Sequence, residues 1–120
     1  MAKTLTDILI ERQKRKEKYF KNWRFYLRKI KKYAKEILGE KTKVFLFGSF
    51  FKKEWGPESD IDVLIVSENL PEDFDERGKI RTKIKSKVGI FSPFQLHLAK
   101  PEEFEGWYKG FIKKDFLEIK

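Results

Sequence analysis

At 120 residues with no cysteine, the chain has room for one hydrophobic core, and disulfides, thiolate nucleophiles and cysteine-held zinc are excluded. No apolar run approaches the roughly 18 residues of a membrane span, and the start Met1-Ala2-Lys3-Thr4 lacks a signal-peptide pattern. The net charge of +9 is lopsided: residues 1–43 hold 15 Lys/Arg against 5 Asp/Glu, whereas residues 44–120 hold 13 against 14. With 39% charged residues but only two Asn and two Gln, the composition points to a heat-adapted (thermophile) cytoplasmic protein.

In the basic first third, apolar residues recur at Tyr19/Phe20, Trp23, Tyr26/Leu27, Ile30, Tyr33/Ala34 and Ile37/Leu38, close to the helical period. Thr4 or Thr6 is suited to cap the start, Asp7 favours the first turn, and Gly39 is a C-terminal stop. A helix this long is expected to break once, with the run Arg12 to Lys18 leaving the core. Two readings of this segment stand open. It is a polyanion surface for RNA, DNA or an acidic partner, with Tyr19, Phe20, Trp23 and Tyr26 as docking rings, or a solvated Lys/Arg face whose aromatics pack on a sheet.

Val44-Phe45-Leu46-Phe47 reads as a strand ending at a Gly48-Ser49 turn, and Ile61 to Val66 reads as a second, buried strand. Alternation puts Asp60 and Asp62 on one strand face, about 7 Å apart. Two carboxylates so placed suit a hard divalent cation, which takes oxygen ligands and keeps waters or phosphate oxygens. The Gly-Ser turn offers backbone N–H groups that a phosphate can approach with no Cβ in the way. Together they suggest nucleotide chemistry.

Glu68 to Pro71 reads as a turn. Asp73 to Val88 reads as an amphipathic helix, with Ile80, Ile84 and Val88 inward, Arg77, Lys79, Arg81, Lys83, Lys85 and Lys87 outward, and Gly89 as its stop. Ser92-Pro93 opens a third strand, Phe94 to Leu98, in strict alternation. Pro101 starts a last helix expected to pack Phe104, Trp107, Tyr108, Phe111 and Ile112 on the sheet. The reading is one domain, with a basic helical segment at 1–43, a core at 44–104 and a C-terminal helix or tail at 105–120.

The string Phe47-Gly48-Ser49, ten residues, then Asp60-Ile61-Asp62-Val63-Leu64-Ile65 resembles the signature of minimal nucleotidyltransferases of the DNA polymerase beta superfamily. The resemblance spans residues 44–104 and implies an α+β fold, a small mixed sheet packed by helices behind the long basic helix. It implies Mg²⁺ or Mn²⁺ on Asp60 and Asp62, with Gly48, Ser49, Lys52 and Ser59 on the phosphates of ATP or another NTP. An acceptor hydroxyl would attack the α-phosphorus, and pyrophosphate would leave. The chain departs from the pattern at the third strand, where Gln95 stands in the place of the usual third acid. An amide oxygen ligates a cation without bringing charge and is no base at neutral pH. His97, two residues on along the same face, is suited to the base role or is an ordinary half-buried polar residue.

Family members of this size occur beside small helical HEPN proteins as toxin–antitoxin pairs, and some attach AMP to a partner tyrosine. The resemblance therefore implies transfer to a HEPN-type partner as the leading acceptor class, with sugar or antibiotic modification within the same chemistry. The contrasting expectation is a non-catalytic module that binds a partner, a second copy or nucleic acid through its basic helix.

Overall fold

Thr4 opens the first helix with a reciprocal cap: its hydroxyl accepts from the Asp7 N–H at 3.1 Å, and the Asp7 carboxylate accepts from the Thr4 N–H at 3.2 Å. The computed structural model describes residues 2–120 apart from 55, 57, 58, 109 and 111–114. Helix α1 (Leu5–Lys21) ends at Asn22, and α2 (Trp23–Leu38) follows directly and stops at Gly39, whose φ is +108°. The expected break is thus at Asn22, and α1 buries no residue at all. By contrast, Leu27, Ile30, Ala34 and Leu38 make α2 a buried stripe.

Strand β1 (Lys43–Phe47) is followed by the short helix α3 (Gly48–Phe51) where the sequence suggested a plain turn. After it come β2 (Ile61–Val66), α4 (Phe74–Val88), β3 (Phe94–Ala99), α5 (Pro101–Glu103) running into a π-helical turn at Phe104–Tyr108, and β4 (Phe116–Glu118). The sheet order is β3-β2-β1-β4, with β2 and β3 parallel and both β2 and β4 antiparallel to β1. Strand β4 corrects the expectation of a helix or tail after residue 105. With only three residues, too short to show alternation, it pairs Phe116 with Phe47 and Leu117 with Leu46. The expected sheet contacts of Trp107, Tyr108, Phe111 and Ile112 fall on side chains outside the described residues.

One sheet face is roofed by α2 and α4, which bury Ile61, Val63, Ile65, Phe94, Leu96 and Leu98 against Leu27, Ile30 and Ile84. Each large aliphatic buried there contributes about 1.5–3 kcal/mol. The other face carries a smaller apolar cluster of Phe45, Leu64, Val66, Ala99 and Phe104, with Phe45 and Phe104 stacked at 5.2 Å. The aromatics Tyr19, Phe20, Trp23 and Tyr26 pack against the larger core, as expected of helical spacing.

One residue of α4 departs from the expected pattern. Arg77 is not outward but 4% exposed: its Nε donates to the Pro71 carbonyl at 2.6 Å, and both terminal nitrogens meet the Glu103 carboxylate at 3.1 and 2.9 Å. A guanidinium can be buried only when its donors are matched in this way.

Candidate active site

The site lies at the edge of the open sheet face where β1 ends. Asp62 pairs in register with Phe47 on one side and Gln95 on the other, and Leu64 pairs with His97. Alternation therefore puts Asp62, Gln95 and His97 on one face, Asp60 just beyond the strand end, and Ile61 and Val63 in the core behind. His97 Nε2 stands 3.3 Å from Asp62 Oδ1; a carboxylate can only accept, so the imidazole N–H is the donor. The Phe47 ring meets the imidazole edge-on at 5.2 Å and limits its swing. Asp62 and His97 are both about 30% exposed, partly desolvated yet open to a ligand.

Gly48 ties the turn to this carboxylate. Its φ is +81°, and a Cβ there would overlap Asp62 Oδ2 and stand 3.1 Å from Asp62 Cγ. Only glycine permits both the backbone conformation and the approach. Ser49 follows within α3, and its carbonyl accepts from Glu54 N–H at 2.9 Å, closing the turn. Ser59 is committed to its own loop: its hydroxyl accepts from Gly56 N–H at 2.9 Å, which holds the approach to Asp60.

Two openings meet at His97. A cleft of about 640 Å³ is lined by Gly48, Ser49, Lys52, Glu54, Asp62 and Asp115 as well as His97. Another, of about 490 Å³, is lined by Asp60, Arg81, Lys85, Gln95 and His97. Gln95 is exposed in that second opening, and it is His97 that contacts Asp62. Lys52 forms an ion pair with Asp115 at 3.7 Å.

Among the described residues, no group of three or more His, Asp or Glu side chains is placed to hold a metal by itself. Asp60, Asp62 and the Gln95 amide oxygen nonetheless form a donor set of hard oxygens. They fit Mg²⁺ or Mn²⁺ on the condition that water and substrate phosphate oxygens complete the shell, as is usual for Mg²⁺.

A model of the nucleotidyltransferase domain matches residues 27–119. The chain belongs to that family. A crystal structure described as that of a candidate nucleotidyltransferase is 30% identical, with a TM-score of 0.62 over 78% of this chain and 96% of the other. A second candidate nucleotidyltransferase, from Sulfolobus solfataricus, is 21% identical with a TM-score of 0.53 over 98% of this chain and 89% of the other, and shares the fold. No curated protein matches the chain. Among the described residues, no helix of this nucleotidyltransferase is long and apolar enough to cross a membrane.

Four charged residues of the two openings were not among those the sequence singled out for the site. Asp115 and Glu54 carry no motif, and Asp115 arrives only because β4 pairs with β1. Arg81 and Lys85 look like two more outward lysine-type positions until α4 is packed beside β3.

Proposed function

We propose that this nucleotidyltransferase moves an NMP, AMP in the leading reading, from an NTP to an acceptor hydroxyl. The observation that carries the proposal is the abutment of Gly48 on Asp62, which brings a phosphate-accepting turn and a cation-binding carboxylate into direct contact. The Gly48-Ser49 turn receives the β- and γ-phosphates through backbone N–H groups, and Lys52 exchanges Asp115 for phosphate oxygens. Asp60 and Asp62 hold the cation, with Gln95 as a neutral third oxygen. When bound, the cation neutralises the triphosphate and stabilises the entering and leaving oxygens. The acceptor oxygen bonds to the α-phosphorus, the bond to pyrophosphate breaks, and the hydroxyl proton passes to the His97 imidazole. Positioning and charge neutralisation supply most of the rate in such transfers.

For the acceptor, the resemblance favours a hydroxyl, a tyrosine above all, on a small helical HEPN-type partner of a toxin–antitoxin pair. The exposed Gln95 supports a second reading, in which slow or absent turnover leaves a nucleotide- and partner-binding module.

Incubation with α-labelled ATP, Mg²⁺ or Mn²⁺ and the product of the neighbouring gene is expected to move label onto that protein. Asp62→Asn should reduce transfer by about 10²–10³-fold, the usual cost of one charge-stabilising group. Gln95→Glu should raise metal affinity and rate. If ATP binds equally well in EDTA, and to Asp60→Asn and Asp62→Asn, the site assignment fails. Metal-dependent ATP binding without transfer would select the binding-module reading.

A further inference from the structure

Two stretches of the chain contain no acid at all: residues 22–35 hold six Lys/Arg, and residues 77–88 hold six. They are far apart in sequence, but they form most of α2 and α4, which pack side by side over the covered face of the sheet. Their inward residues are apolar, and Arg28, Lys32, Lys83 and Lys87 are exposed on the outer faces, whereas Lys31, whose ammonium donates to the Ile119 carbonyl at 2.8 Å, and Lys35 turn to the β4 edge, and Arg24 lines a groove with Leu46, Phe50 and Leu117. Tyr33 marks the seam. Its ring has the Lys32 ammonium from α2 at 6.0 Å and the Lys87 ammonium from α4 at 5.8 Å.

The cations form rows at i, i+4 spacing: Arg24, Arg28 and Lys32 on α2, then Arg81 with Lys85 and Lys83 with Lys87 on α4. Within a row the steps are about 6 Å along the helix axis. Among the described residues none of these seven is in an ion pair with a carboxylate, whereas Lys35, Lys79 and Arg77 of the same two helices are. A face of unpaired like charges costs folding free energy through self-repulsion, and binding a polyanion relieves it. Exposed rings border the same surface. Phe25 is 61% exposed beside Lys29, and Phe91 is 91% exposed just beyond the end of α4. The Tyr19 hydroxyl donates to the Val88 carbonyl at 3.4 Å, and the Tyr19 ring packs tilted at 4.7 Å against Tyr26, the neighbour of Phe25, which joins the two ring-bearing ends.

We propose that the paired outer faces of α2 and α4 bind a single-stranded nucleic acid, with phosphates on the cation rows and unpaired bases on Phe25 and Phe91. Rows of point charges with exposed rings suit a flexible strand whose bases are free to stack; a duplex offers no base faces to these rings. The surface ends where Arg81 and Lys85 enter the opening shared with Asp60, Gln95 and His97. The proposal goes beyond nucleotidyl transfer, concerns binding alone, and needs no turnover to be tested.

The test is fluorescence anisotropy of short labelled oligonucleotides, single-stranded RNA and DNA and the corresponding duplex, titrated with the full chain over a range of salt. Single strands should bind more tightly than duplex, and log K against log salt should have a slope of about −3, four or five phosphates at roughly −0.7 each. Arg28→Glu with Lys32→Glu, and separately Lys83→Glu with Lys87→Glu, should each weaken binding at least tenfold and flatten the slope, with circular dichroism unchanged. Phe25→Ala should weaken it by about fivefold or more at all salts, as loss of one stacked base predicts. Reversal of Lys14, Arg15, Lys16 and Lys18 on α1 should change affinity less than either pair. Equal or tighter duplex binding overturns the proposal. So does a flat salt dependence, or affinity unmoved by both charge-reversed pairs.

Discussion

The two faces of the four-stranded sheet are made of alternate residues of the same strands, and they are put to opposite uses. On β2, Ile61, Val63 and Ile65 are completely buried under α2 and α4, whereas Asp62, one position out of phase, stands at the open end of the other face. On β3 the same alternation divides Phe94, Leu96 and Leu98 from Gln95 and His97. The covered face supplies the free energy that fixes the strands, and the open face presents polar groups on that rigid frame. Asp62 is placed by a strand locked from behind and oriented by its contact with His97 at 3.3 Å.

The contrast is broken most severely by Ile65→Ala. A fully buried isoleucine cut to alanine should cost about 3–5 kcal/mol, read as a shifted midpoint in urea unfolding. Asp62→Asn should leave that midpoint nearly unchanged while reducing the proposed transfer by about 10²–10³-fold. If both variants lose the same stability, the open face is a structural face and the division of labour is wrong.

Next in size is Arg77→Ala, the polar group that braces the start of α4 against α5. Loss of a buried guanidinium that serves both Pro71 and Glu103 should cost about 2–3 kcal/mol. The same pair makes a pH prediction. The Arg77 hydrogen bond holds the Glu103 carboxyl below its ordinary value of 4.5. A carboxyl lowered on folding stabilises the fold above its unfolded pKa and loses that contribution as pH falls through the folded value. The melting temperatures of wild type and Glu103→Gln should therefore differ at neutral pH and converge below about 4.5. A difference that persists at lower pH would mean the glutamate acts through packing.

The smallest effect is expected at the charged part of α1 before Tyr19, which shares the charge of α2 but has no fully buried residue. Reversing Lys14, Arg15, Lys16 and Lys18 should shift stability by no more than about 0.5 kcal/mol. A larger loss in thermal unfolding would show that the segment before Tyr19 is also packed against the body in solution.

Much of this molecule was legible in its residues. The motif from Gly48 to Asp62, the two apolar strands and the caps Thr4, Gly39 and Gly89 are local signals, each decided by neighbours within a few positions. Helix α2 was equally legible because its stripe keeps the helical period through Leu38. Arg77 was misplaced for the opposite reason: on a helix otherwise basic outside and aliphatic inside, only the arrival of Glu103, 26 positions on, makes burial of a guanidinium affordable. Strand β4 is three residues long and exists through its pairing with β1, so no periodicity could announce it.

The sequence alone, then, determined the family signature and the strand phase that separates Asp62 from Ile61 and Val63, since these follow from covalent spacing and strand alternation. The tertiary structure decided which distant groups meet. It set His97 rather than Gln95 against Asp62, brought Asp115 to Lys52, and put Lys87 of α4 over the Tyr33 ring of α2. Those outcomes depend on strand order and helix packing, where the free energy comes from apolar burial across the whole sheet and no short stretch of chain holds the information.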